Sequence, residues 1–395
     1  MTRHWDGIRA AALPAVLAGT CLWAQTVAAQ QCEVKLGVAG PMTGGGAGWG
    51  MAEKGGTEFE AAWNNANGGI QVGNRKCKVT VVSFDAQSTA AGGAAAANYF
   101  ASQNVHAVVG PIPSPETTGF KPVAKRHGEI NFATSFSADV IGPDYPLAFH
   151  KVQGPQVWGP MVIKAAKERF NFKTAVVMGP NDQGGTDAGK ALSKIYGDLG
   201  VKASEEWYQR GTTNFAPIVT RLMSRRPDTV ELGPMPPGEA AILTKQLLEA
   251  GYTGAFGRMG TGTDVIIKGA GGAQAQKAFY WVELVPTEDP GIKKLNADYE
   301  RLMKAPVPDN SLVYSAQLAA EQMLKAISLA GTDQDTEKIV AELRKMTPES
   351  RYLGKGGWRG KAQYGINQQL AFPVGMGLIA NGKAEPQRRL EVPAE

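Results

Sequence analysis

From Val34 onward, short apolar runs alternate with stretches whose apolar residues recur every three or four positions. The first run, Val34 to Val38, gives way to Gly40-Pro41 and a loop with glycines at 44, 45, 46, 48 and 50. After Trp49 come Phe59, Ala62, Trp63 and Ala66 at helical spacing. That order is strand, glycine loop, helix. The pattern then repeats. Strand Val79–Phe84 ends at Asp85, and Ser88 stands where a cap would precede an alanine-rich helix through Tyr99-Phe100. Strand Ala107–Val109 ends at Gly110-Pro111, the loop Ile112–Ser114 leads to a helix near Glu116–His127, and strand Asn131–Thr134 ends in Ser135-Phe136-Ser137. Four strand–helix repeats in about 110 residues predict a parallel sheet with right-handed crossovers.

The alternation begins afresh with a helix over Gln156–Phe170. Strand Thr174–Met178 ends at Gly179-Pro180-Asn181-Asp182, helix Asp187–Leu199 follows, then strand Val201–Trp207 and a helix Phe215–Ser224 capped by Asn214. Strand Thr229–Leu232 ends at Gly233-Pro234, helix Gly238–Ala250 closes at Gly251, and strand Ala255–Met259 ends at Gly260-Thr261-Gly262. This is a second αβ unit of similar size. The tail differs: a strand Phe279–Val285, three helices (Gly291–Met303, Tyr314–Ala330, Thr336–Met346), and from Gly354 a Gly-rich segment with a strand-like Leu370–Ile379. Two like units followed by helices and then strands predict an α/β protein of two doubly wound, parallel-sheet lobes between which the chain recrosses.

Guests of parallel sheets sit at the carboxyl ends of the strands. Those ends are Gly40–Trp49, Pro111–Ser114, Ser135–Ser137, Pro180–Gln183, Pro234–Pro237 and Gly260–Asp264. They are small, rich in Gly, Pro, Ser and Thr, and nearly free of charge. Such a lining offers hydroxyls and N–H groups for binding and few groups for catalysis.

Composition narrows this further. A chain of 395 residues with 43% hydrophobic and 19% charged residues can bury a sizeable core. A net charge of +5, with no run of Lys or Arg longer than pairs such as Arg225-Arg226 and Arg388-Arg389, does not indicate nucleic-acid binding. At the N-terminus Arg3 and Arg9 precede an apolar stretch, Ala10 to Ala24, and Val27-Ala28-Ala29 offers a cleavage site before Gln30. Residues 1–29 therefore read as an export signal. Cys21 follows Leu17-Ala18-Gly19-Thr20, and Thr20 fits a lipoprotein box poorly, so a soluble product is expected. Cys32 and Cys77 each stand two residues before an apolar run; if those runs are neighbouring parallel strands in register, the sulfurs meet. An exported context permits that disulfide. Two cysteines with no nearby histidine argue against a metal site.

Catalytic signatures are missing. The glycines of the first loop satisfy GxGxxG in no register, and GxxxxGK[ST], HExxH and GxSxG do not occur. His106, His127 and His150 each stand alone, His150 where the chain leaves the first lobe. Asp85, Asp182 and Asp264 end strands and read as caps or turn residues.

The segments VKLGVAGPMTG…GWG, AAWNNANGGIQVGNRKCKVTVVSFD, AVVGP at 107–111, Gly-Pro-Asn-Asp at 179–182, TTNFAPIVTRLMSRRPDTVELG at 212–233 and GEAAILTKQLLEAGY at 238–252 together resemble the periplasmic leucine/isoleucine/valine-binding protein family, type I solute receptors of ABC importers. The resemblance spans the chain after the signal. It implies two lobes joined by three crossovers that close on a ligand, a membrane permease as partner, a monomer in the periplasm, and neither enzymatic activity nor cofactor. The expected division is 30–150 with about 286–353 in the first lobe and 151–285 with about 354–395 in the second.

The family's site residues carry over unevenly. Trp49 matches the aromatic that packs on the ligand, and Ser114 the serine that holds its carboxylate; Ser135, Ser137 and Ala138 match the small hydroxyl and amide positions. The family's Tyr-Gly of lobe two is Gln183-Gly184 here, and Met235 or Pro236 replaces another aromatic. The acid expected to pair with an amino group falls at Gly262, with Asp264 two residues on. Either Asp264 substitutes or the ligand has no ammonium, because an unpaired buried ammonium is costly. Arg258 is nearby, and a shift of one residue in register turns it away from the cleft. The expected ligand is a branched-chain or similar amino acid, with a small organic or aromatic carboxylate lacking an amine as the alternative. An exported α/β hydrolase is the rival from another class.

Overall fold

The computed structural model describes residues 32–392 and Glu395. The expected export signal lies outside the described residues. The first lobe begins with β1 (Glu33–Gly40), α1 (Ala47–Ala66), β2 (Ile70–Val72), β3 (Arg75–Asp85), α2 (Ala90–Ser102), β4 (Ala107–Val109), α3 (Ser114–His127), β5 (Ile130–Ala133) and β6 (Ala148–His150). The second follows with α4 (Pro155–Phe170), β7 (Thr174–Pro180), α5 (Gln183–Asp198), β8 (Lys202–Tyr208), α6 (Ala216–Arg225), β9 (Thr229–Glu231), α7 (Pro237–Glu249), β10 (Ala255–Arg258), α8 (Thr263–Gly269) and β11 (Ala278–Glu283). After these come α9 (Pro290–Met303), α10 (Leu312–Ala330), α11 (Thr336–Lys345), a small hairpin of β12 (Glu349–Ser350) and β13 (Gly354–Lys355), β14 (Gly357–Arg359), α12 (Lys361–Tyr364), β15 (Gln369–Ala371), β16 (Val374–Ala380), β17 (Lys383–Ala384) and β18 (Arg388–Leu390).

The strands form two sheets, ordered β14-β15-β6-β5-β4-β1-β3-β2 and β17-β16-β11-β10-β9-β7-β8, with β18 also on β16. In each sheet the chain winds one way and then the other. The order reverses between β1 and β4 in the first sheet and between β7 and β9 in the second, which are the positions where open α/β sheets leave a crevice.

Each sheet is buried on both faces. In the first lobe, Leu36, Val109 and Phe132 pack with Phe59, Leu312 and Met323 under α1 and α10. Ala39, Val108, Phe100 and Phe120 form the opposite face under α2 and α3. In the second lobe Val177, Tyr280 and Met376 pack under α4 and α5, while Val176, Val230 and Phe256 pack under α6 and α7. Strands buried on both sides read as continuous apolar runs, which is why the sequence pattern located them.

Parallel pairing of β1 with β3 sets Glu33 beside Lys78, so Cys32 and Cys77 meet, and they form a disulfide. Closing 45 residues, it removes about 4 kcal/mol of chain entropy from the unfolded state.

The chain crosses between lobes after His150, after Glu283 and after Ala371. The third crossing departs from expectation. The return was expected near residue 354, yet β14 and β15 complete the first sheet, and Trp358, Leu370 and Phe372 bury in its core. The apolar stretch Leu370–Ile379 is two strands in different sheets, divided at Pro373. Two caps also differ. Thr89, not Ser88, caps α2, accepting from Gly92 N–H at 2.9 Å. Asn214 Oδ1 accepts from Ala216 N–H at 3.0 Å, forming a turn one residue ahead of the N-cap of α6, which is Phe215.

Candidate functional site

The carboxyl ends of both sheets face each other across a narrow cleft. From the first lobe it is lined by Trp49 at the start of α1, by Ile112, Pro113 and Ser114 after β4, by Thr134, Ser135 and Phe136 after β5, and by Val152 after β6. The second lobe contributes Gly184 and Gly185 at the start of α5, Arg210 after β8, Gly233 and Pro234 after β9, and Arg258, Gly260 and Thr261 at the end of β10. No Asp or Glu lines it. The cavity is ≈ 40 Å³, room for only a few waters, so a larger guest enters as the lobes part.

The local sequence explains the wall of hydroxyls. α3 starts at Ser114, with Pro115 in its first turn, an acid (Glu116) at its N-terminal end, basic residues Lys125, Arg126 and His127 in its last turn, and Gly128 at φ 70 ending it. Its positive end therefore points into the cleft beside the Ser114 hydroxyl. Ser135 Oγ donates to Ser114 Oγ at 2.8 Å, and Phe136 N–H donates to the same oxygen at 3.2 Å. Ser137 Oγ lies 2.7 Å from Ser135 Oγ, whose one proton is already spent, so Ser137 is the donor. The chain of hydroxyls thus runs from Ser137 through Ser135 to Ser114. With both lone pairs of Ser114 occupied, only its own O–H is left to offer.

The second lobe presents cations. Arg210 Nε and Nη2 both bond Asp182 Oδ2 at 2.6 Å, while Nη1 is buried with no partner among the described residues. Asp182 Oδ1 also caps α5 by accepting from Gly185 N–H at 2.9 Å. One carboxylate therefore fixes both the helix start and the guanidinium. Arg258 is fully buried and gathers two loops. Its Nη1 donates to the carbonyls of Leu232, Gly233 and Met235, and its Nε and Nη2 to the carbonyl of Thr261. Burial pushes its pKa down to about 10, which leaves it charged at neutral pH. Trp49 is 5% exposed, and its indole N–H has no partner among the described residues.

Three expected residues line the cleft: Trp49, Ser114 and Ser135. Ser137 stands one hydrogen bond behind. Ala138 and Gln183 are on the exposed rim, where both donate to Asp187 Oδ2 at 2.8 Å; the Ala138 N–H bond crosses between the lobes, and the Gln183 bond lies within α5. Met235 is fully buried in the second core and reaches the site only through its carbonyl on Arg258. Gly262, at φ 76, precedes α8 against Pro237 and Asn310. Asp264 is exposed on the first turn of α8, outside the lining. Arg258 does face the cleft, contrary to the register that would turn it away. Sequence reasoning missed Arg210. It follows a predicted strand, Val201–Trp207, at the end that parallel sheets use for binding, and that strand end was not followed to the cleft.

His150 is buried and neutral, its pKa pushed down to about 3 by burial. Gln369 Nε2 donates to its Nδ1 at 2.8 Å and to Val152 O at 3.0 Å, so the ring serves the first crossing. Beside it Lys151 Nζ pairs with Glu53 at 2.6 Å, both side chains fully buried. Among the described residues no group of three or more His, Cys, Asp or Glu is placed to hold a metal.

The family model described as periplasmic binding protein matches residues 33–374. A leucine-, isoleucine-, valine-, threonine- and alanine-binding protein of Pseudomonas aeruginosa is 26% identical over 320 residues, covering 80% of this chain and 83% of the relative. Among solved structures, the branched-chain amino acid transporter substrate-binding protein LivJ of Streptococcus pneumoniae, in complex with isoleucine, superposes with a TM-score of 0.75 at 20% identity over 91% of this chain and 99% of that one. An ABC transporter solute-binding protein of R. palustris, in complex with benzoate, gives 0.73 at 16% identity over 91% and 96%.

Proposed function

We propose that this chain, which belongs to the periplasmic binding protein family, takes into its cleft a small organic acid that carries no ammonium group. The family supplies the role of a periplasmic solute receptor for an ABC importer, a binder with a permease as partner.

One observation carries the choice of ligand: three of the unspent polar groups of the cleft are pure donors. The Ser114 hydroxyl, the Trp49 indole N–H and Arg210 Nη1 can only give hydrogen bonds, and no carboxylate lines the wall to receive one. A carboxylate can accept from Ser114 and Arg210, with Ile112, Phe136, Val152 and the Trp49 ring around its carbon skeleton. An ammonium would be buried with no carboxylate to balance its charge. The amino acids in the names of the Pseudomonas and Streptococcus proteins, which are the first expectation from sequence, carry that ammonium. Benzoate, bound by the R. palustris protein, does not. The hydrolase alternative lacks a base: His150 Nε2 faces Ser135 through the backbone N–H at 3.5 Å, not through a hydroxyl.

Function follows from closure. A ligand bridging Ser114 and Arg210 lowers the free energy of the state in which the lobes meet, and that state is the one offered to the permease. The test is a thermal-shift panel of leucine, isoleucine and valine against benzoate, pentanoate and related acids. A ligand at about 100 times its Kd adds about 2.7 kcal/mol of stability. Acids should raise the midpoint and the three amino acids should not; stabilisation by leucine alone overturns the reading.

A further inference from the structure

The donors of the cleft fall at two ends. At one end Ser114 faces the start of α5 so closely that a Cβ on Gly184 would lie 1.9 Å from Ser114 Oγ, and Arg210 is held there by Asp182, the cap of that helix. At the other end the start of α1 faces α8. A Cβ on Gly48 would meet Val265 at 4.0 Å, and Asn310 bridges, its Nδ2 donating to Gly48 O at 3.1 Å and lying 3.0 Å from a Cβ on Gly262. This second end holds Trp49 and the Thr261 carbonyl that orients Arg258. Of the five N–H groups of Arg258, which lines the cleft, those on Nε and Nη1 and one on Nη2 have carbonyl acceptors, leaving one Nη2 hydrogen to give.

Building on the amine-free reading, we infer that the ligand is two-headed: an acid whose carboxylate meets Ser114 and Arg210 and whose far end carries a second hydrogen-bond acceptor for the Trp49 indole N–H and Arg258, as in a dicarboxylate or an oxo-acid. A simple monocarboxylate fills the first end and leaves the second unsatisfied. The indole N–H of Trp49 is buried and accepts nothing itself, so a guest with only carbon at that end leaves it as unpaired as before. The acceptor must also be free of protons to give, since a facing O–H or N–H would meet donors only.

The test is calorimetric titration of the full exported chain with matched acids, pentanoate against glutarate and benzoate against terephthalate. The two-headed member of each pair should bind about tenfold tighter or more, the scale of one charge-assisted hydrogen bond. Trp49→Phe keeps the ring and removes only the N–H. It should cost the two-headed acids about that factor more than their single-headed partners. Equal affinities within each pair, or a Trp49→Phe loss shared equally by both members, overturn the two-headed assignment and leave the amine-free reading standing. Binding of leucine with no acid bound overturns both.

Discussion

Replacing Gly184 by alanine isolates closure from folding. Gly184 occupies the first turn of α5, where alanine is the better helix former, so the second lobe by itself loses nothing. The obstacle lies across the cleft: the new Cβ would sit 1.9 Å from Ser114 Oγ and 2.4 Å from Ser114 Cβ. Ser114 cannot swing aside without giving up the hydrogen bonds from Ser135 and Phe136. Ordinary contact needs about 3.5 Å, so the lobes must stay apart by roughly 1.5 Å at this point. Overpacking of that kind costs about 1–3 kcal/mol, and here only the closed state bears it. The apparent Kd should therefore rise about 5- to 150-fold, while the thermal midpoint without ligand stays at the wild-type value. Scattering with saturating acid should show a larger radius than the wild type. Gly185 gives the control, because a Cβ there meets Pro180 O at 2.0 Å inside the same lobe, so Gly185→Ala should lower the ligand-free midpoint instead. An unchanged Kd for Gly184→Ala would refute the claim that this contact defines the closed state.

Two further outcomes follow from the buried charges. Lys151→Met leaves Glu53 buried without its partner and should cost about 3–5 kcal/mol in denaturant titration, whereas the double variant with Glu53→Gln should recover much of it; equal losses would show that the pair is not coupled. Burial raises the Glu116 carboxyl to about 9, with Oε1 accepting from Ser88 N–H and Oε2 unpartnered among the described residues. The folded state then holds a proton that the unfolded state releases near pH 4.5, so stability falls as pH rises from about 5 to 9; Glu116→Gln should flatten that slope in thermal melts, and an unaltered slope would assign it elsewhere.

How much of this was legible in the sequence follows from what burial does to pattern. The parallel strands were visible because both faces are covered, so Val34–Val38 or Val79–Phe84 read as plain apolar runs. The short strands β6 and β14 were not, because His150 and Arg359 interrupt their brief apolar runs, and β15 was merged with β16 into one apolar stretch. The third crossing was misplaced for that reason. Of the cleft's lining, Trp49, Ser114 and Ser135 were named from sequence because each lies in the loop or first helical turn that follows a strand. Arg210 and Arg258 were not, and the reason is electrostatic. An arginine next to a strand end reads as a solvated charge. Here Arg258 spends its donors on carbonyls of two loops, and Arg210 is pinned by an aspartate that the sequence read as a cap or turn residue. Buried guanidinium groups are set by partners far away in sequence.

The arrangement of helices ties ligand charge to closure. α3 and α5 both begin at the Ser114–Gly184 contact, so closing the lobes brings two helix N-termini together. Each carries about half a positive charge. By Coulomb's law two half-charges repel as a quarter of a unit interaction over their separation. A single negative charge midway attracts each half-charge at half that distance, and the summed attraction is about eight times the repulsion at any spacing. Arg210 adds to the positive side, partly balanced by Asp182. A net-neutral zwitterion recovers this gain only if its ammonium is matched by a carboxylate, and the lining holds none. A net anion recovers it outright. On the proposed amine-free reading, the ligand's charge is the charge that removes the penalty on closing, so recognition and closure become one event.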